Sequence, residues 1–118
     1  LKPRAGNEAT DCGTAALGMS AAAVDACVVK AFDSGTPFVA RYARQGTDSK
    51  IVLGIVRDQQ GTVTFLEWDS APCGGPGCDP VITALTCDGP AVDDSPTRNS
   101  NTAPITCASA LAVGRVCE

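Results

Sequence analysis

The apolar positions of the chain follow two periods in succession. Between residues 20 and 36, Val24, Cys27, Val28, Ala31 and Phe32 recur at intervals of three and four. On a helix that spacing gathers them into one stripe of about three turns, with Asp25, Lys30 and Asp33 on the other side. Ser20 is the expected N-cap, Gly35 the left-handed cap at the far end, and Pro37 the stop.

From residue 37 the period shortens. "PFVARYARQ" (37–45), "KIVLGIVRD" (50–58), "TVTFLEWD" (62–69) and "VITALTC" (81–87) have the length and the β-branched or aromatic content of strands. Phe38, Ala40 and Tyr42 share one face of the first, and Ile51, Leu53 and Ile55 one face of the second. Val52 and Val56 make the second apolar on both sides, which places it in the middle of a sheet. "QGTDS" and "DQQG" separate these runs, and Gly61 stands where a hairpin loop requires a positive φ.

The predicted fold is α+β, with one amphipathic helix packed on a four- to five-stranded antiparallel meander and stapled by disulfides. Residues 1–11 read as a flexible polar arm. Residues 12–118 then form a single domain with a loop-rich C-terminal extension from about residue 88. There "DGPAVDDSPTRNSNTA" is a poorly apolar connection, and "PITCASALAVGRVCE" regains enough apolar character for a short strand or a turn of helix.

Composition adds a compartment. The 118 residues include only five aromatic side chains, and much of the apolar fraction is alanine, so burial alone gives a lean core. Seven cysteines and no histidine in so short a chain point to an oxidising environment and an extracytoplasmic location: periplasmic, outer-membrane-associated or secreted. "LKPRAGNEATDCG" has no apolar run, so a leader is expected to have been removed ahead of Leu1. No segment has the ~20 apolar residues that span a bilayer. The net charge is −4 and the six Arg and three Lys are scattered, which argues against nucleic acid and anionic membranes as partners.

All seven cysteines, Cys12, Cys27, Cys73, Cys78, Cys87, Cys107 and Cys117, are disulfide candidates. The C-x4-C spacing of Cys73 and Cys78 has no second pair to complete a zinc site, and it is too wide for a redox C-x-x-C motif. Cys12 is the nearest partner for Cys27 on the helix stripe. Cys73 with Cys78 would close a small glycine-lined ring in "PCGGPGCDP", and Cys87 would take Cys107 or Cys117. One cysteine is left over, to be free, capped by a small thiol or paired between chains.

Little else in the chain resembles chemistry. Without histidine there is no imidazole base, no Ser-His-Asp or Cys-His pair and no histidine metal ligand. Glu67 falls on the solvent side of a strand by alternation, and Asp93 and Asp94 lack the oxygen spacing of a calcium loop. Phosphate-binding glycine motifs are absent. No catalytic residue, cofactor or metal ligand is therefore assigned, and the chain is read as not an enzyme. The candidate binding loop is Gln45, Gly46, Thr47, Asp48 and Ser49, whose amide, hydroxyl and carboxylate groups are suited to recognition from a rigid sheet.

The run from Cys27 to Trp68, with its cysteine-bearing helix, "G-x-PF" strand entry and "QG-x-DS" hairpin, resembles a family of uncharacterised secreted proteins and lipoproteins from GC-rich bacteria. That likeness implies export, and a lipid anchor lying outside this chain as the sole membrane attachment. It carries no activity. The order of elements is also similar to the cystatin-like superfold, although the Q-x-V-x-G and Pro-Trp wedges of cystatin inhibitors are missing. The expected function is a non-catalytic extracytoplasmic binding or accessory domain for a protein or cell-surface component. The alternatives are a structural subunit of a surface assembly, fibre or covalent oligomer, built by self-association, and a protease-inhibitor-like domain.

Overall fold

The helix forms where its apolar stripe places it, and the chain around it is paired into strands. In a computed structural model, which describes residues 6, 9–16, 20–45, 50–70, 81–93 and 103–115, the order is β1 (Thr10–Ala15), α1 (Ala22–Asp33), β2 (Phe38–Gln45), β3 (Lys50–Arg57), β4 (Val63–Asp69), β5 (Val81–Asp88), β6 (Ala91–Val92), β7 (Ile105–Thr106) and β8 (Ser109–Arg115). The main sheet has six strands in the order β1-β2-β3-β4-β5-β8, and β6 pairs with β7 in a separate ladder.

The meander expected from residues 37–87 is present: β2, β3, β4 and β5 pair antiparallel in succession. The sheet as a whole is nevertheless mixed rather than antiparallel, because β1 runs parallel to β2. Adjacent parallel strands require a crossover, and α1 supplies it. The sheet has six strands against the four or five expected: β8 falls where the sequence offered a short strand or a turn of helix, and β1 is the strand that was not expected. The arm assigned to residues 1–11 overlaps β1 at Thr10 and Asp11, and Ala9 ahead of them is buried.

A bulge makes β1 usable. Between the pairs Asp11↔Val39 and Thr14↔Arg41, the two residues Cys12 and Gly13 stand opposite Ala40 alone. Gly13 takes φ 85° there, and its N–H donates to Asp11 Oδ1 at 2.9 Å. The side chain of Cys12 thereby packs on the helix side of the sheet, and Cys12 is bonded to Cys27.

Both ends of α1 are closed by local hydrogen bonds. The N-cap is Ala21, not the expected Ser20, whose hydroxyl accepts the Ala22 N–H at 3.2 Å from one residue further out. At the C-terminus Gly35 adopts φ 72°, the Gly35 N–H donates to Phe32 O and the Thr36 N–H to Ala31 O. That pair of bonds is a Schellman cap. Asp25, placed on the polar side by periodicity, is half-buried, and it accepts the Tyr42 hydroxyl at 2.7 Å.

The core lies on both faces of the sheet. Val24, Val28 and Ala31 of α1 pack on Phe38, Ala40, Tyr42 and Ile55, and the same face continues through Val63 and Cys87 to Ala103 and Ile105. On the opposite face Val39, Val56, Leu66 and Ala84 form a second cluster with Ala9. Strand β3 contributes Ile55 to one and Val56 to the other, both essentially inaccessible, as its double-sided apolar pattern requires. The turn between β3 and β4 closes on Gly61 at φ 88°, with Asp58 Oδ1 accepting from Gln60 and Thr62 N–H.

Candidate functional site

Among the described residues two disulfides fix the scaffold. Cys12–Cys27 ties β1 to α1, and Cys87–Cys107 ties β5 to the segment after β7. Both join partners expected from the sequence, Cys107 being one of the two expected for Cys87. Ala108 N–H reinforces the second by donating to Asp88 O at 2.8 Å. Cys73, Cys78 and Cys117 lie outside the described residues, as does the "PCGGPGCDP" stretch.

Of the candidate binding loop, Gln45 is the last residue of β2, and residues 46–49 lie outside the described part of the chain. Their boundaries are informative. Gln45 pairs with Lys50, so residues 46–49 join the two strands directly. Lys50 N–H donates to Ser70 Oγ at 2.8 Å, and Ser70 N–H donates to Lys50 O at 3.0 Å. The β2–β3 and β4–β5 connections therefore start from adjacent positions at one end of the sheet, an outcome of the meander's up-and-down order.

Among the described residues, concave sites lie on the helix side. A cleft of about 410 Å³ separates the C-terminal half of α1 from the start of β1, lined by Thr10, Cys27, Lys30, Ala31, Ser34 and Thr36. A smaller cavity of about 160 Å³ lies between the sheet residues Tyr42, Leu53 and Phe65 and the returning chain at Asp93, Ala103 and Ile105. Neither was legible beforehand, because each is made by residues far apart in the chain.

At the other end of β3 the Arg57 guanidinium stacks on Phe32, 5.9 Å from the ring centroid, and its Nη1 is buried without a hydrogen-bond partner. Glycines flank it. A Cβ at Gly35 would lie 3.7 Å from Nη1, and one at Gly61 3.4 Å from Nη2. This contact staples the helix end to the β3–β4 turn through the Arg side chain's reach rather than through charge pairing. On the opposite face Arg41 and the exposed Asp11 approach to 3.5 Å.

Among the described residues no three His, Cys, Asp or Glu side chains gather where they could hold a metal ion. Among them, too, no helix is long and apolar enough to cross a membrane. Comparison with protein-family models, with curated proteins and with solved structures finds no match to this chain.

Proposed function

We propose that this chain is a non-catalytic extracytoplasmic binding module that recognises a protein or cell-surface component from one end of its sheet. The observation that carries this reading is the reciprocal Lys50–Ser70 hydrogen-bond pair, which roots two connections side by side on a six-stranded scaffold. Loops held on a rigid framework are a common means of recognition, since the framework limits the entropy lost on binding. Gln45, Thr47, Asp48 and Ser49 bring donors and acceptors to the first connection, and the glycine-rich 72–80 stretch belongs to the second.

The compartment rests on the disulfides. Bonds such as Cys12–Cys27 and Cys87–Cys107 persist in oxidising surroundings, which supports export and accords with the lipoprotein-like resemblance. The absence of histidine from the sequence supports a role without acid–base catalysis. Pulldown from an envelope extract with the wild type and a Thr47→Ala/Asp48→Ala variant tests the reading. The variant is expected to lose a partner that the wild type retains, and identical partner lists would overturn the loop's role.

A second reading follows from cysteine parity. Of seven cysteines four are joined in the two disulfides, and the three that remain, Cys73, Cys78 and Cys117, cannot all pair with one another within the chain. A covalent oligomer would use the odd thiol. Non-reducing electrophoresis with light scattering distinguishes it, since a monodisperse monomer at high concentration excludes this assembly.

A further inference from the structure

We propose that the cavity beneath the β6–β7 ladder is a binding site for a compact, uncharged apolar molecule of about the size of benzene. Its floor is made by three successive strands of the main sheet: Tyr42 from β2, Leu53 from β3 and Phe65 from β4. Tyr42 and Leu53 are direct cross-strand partners, and Ile55↔Phe65 places Phe65 one step along the same face. Ala103 and Ile105, both buried, form the roof.

Close-packed proteins leave few spaces larger than a water molecule, so a partly open space of about 160 Å³ between the sheet and the returning chain is a feature of the fold. An engineered cavity of about 150 Å³ lined by Leu, Ile and Phe stays dry and takes up benzene. Leu53, Phe65 and Ile105 supply lining of the same kind here, beside the Tyr42 ring, Gly54, Ala103 and Asp93. Water entering it would meet mostly hydrocarbon, whereas a flat apolar ring would recover the dispersion contacts that the floor and roof lack.

The roof is held in position by bonds that do not depend on a ligand. Val92 pairs with Ile105 and Ala91 with Thr106, and Asp93 N–H donates to Pro104 O at 2.8 Å. Cys107 then anchors the returning chain covalently to Cys87. A roof fixed in this way keeps the site preformed, which lowers the ordering cost of binding. The charge preference follows from the apolar side chains of the floor and roof: a charged ligand would give up its hydration on entering, and a neutral one would not. Small Ala103 is what leaves the volume open.

Methyl NMR of the oxidised protein, titrated with benzene and separately with benzoate, tests the site. Benzene is expected to give saturable shifts at Leu53 and Ile105 and none at Leu66 and Ile82, which lie on the opposite face of the sheet. Benzoate is expected to bind at least about ten-fold more weakly, because its carboxylate would lose hydration among mostly apolar side chains. Ala103→Leu, which fills the roof, is expected to weaken benzene binding by at least about ten-fold while keeping the Cys87–Cys107 bond. Equal responses on both faces, equal affinity for benzoate, or undiminished binding by a folded Ala103→Leu protein would each overturn the proposal. Should that variant not fold, the wild-type comparison between faces and between probes decides. The test leaves residues 46–49 untouched, so its failure and that of the loop's role are separately visible.

Discussion

At Gly35 the backbone sits at φ 72°, a conformation that costs an L-residue with a Cβ roughly 1–2 kcal/mol. A methyl group there would stand 3.7 Å from Arg57 Nη1, an ordinary contact, so the cost of Gly35→Ala comes from the backbone and not from a clash. The variant is expected to lose about 1–2 kcal/mol in chemical denaturation, and Gly35→Asn, which tolerates the left-handed region better, to lose less. Equal losses for both would assign the effect to packing. This position was legible because a glycine two residues before a proline at the end of an apolar stripe has few other uses. Asp25 was not. Periodicity assigns a side chain by its angle from the stripe, whereas Asp25 is half-buried by a hydroxyl from Tyr42, seventeen residues away. Arg57 escaped for a related reason, its stacking on Phe32 being a contact between strand end and helix end.

Elements with an uninterrupted period were readable from their residues, and β1 shows what breaks the reading. β2 to β5 each carry seven or eight residues of uninterrupted strand character, and they appear within a residue or two of the expected bounds. In "TDCGTA" the bulge at Cys12 and Gly13 shifts the alternation midway, so neither half is long enough to signal a strand. Its parallel pairing with β2 is a tertiary fact, set by the α1 crossover. The Cys12–Cys27 bond closes that crossover over a separation of 15 residues, for which chain entropy gives about 3 kcal/mol. A Cys12→Ser/Cys27→Ser variant is expected to lose about that much stability. Amide exchange should accelerate most in β1, which has only one neighbour in the sheet, and least in central β4. Uniform acceleration across both strands would mean that β1 does not open separately.

For the whole molecule the disulfides decide whether the fold survives outside an oxidising compartment. The second bond spans a separation of 20 residues and contributes, on the same basis, about 3 kcal/mol. The two bonds close separate stretches of chain, so their effects should add to about 6 kcal/mol. Domains of this size hold only about 5–15 kcal/mol in total, and a core drawn largely from alanine and valine belongs toward the lower end. Reduction is therefore expected to lower the thermal midpoint by more than about 20 °C, measured by circular dichroism with and without a phosphine reductant. A fall below about 5 °C would show that packing alone maintains the sheet, and the disulfides would then say nothing about compartment. The α+β class and the Cys12–Cys27 staple were accessible in the sequence because local period and cysteine spacing carry them, whereas the parallel edge strand and the choice of Cys107 over Cys117 for Cys87 were not. The cavity under the β6–β7 ladder was not, since it needs Tyr42, Leu53 and Phe65 brought beneath residues about thirty to sixty positions further along the chain. Reduction tests that link as well: releasing Cys107 from Cys87 unpins the roof, so benzene binding should weaken even at temperatures where the reduced sheet remains folded.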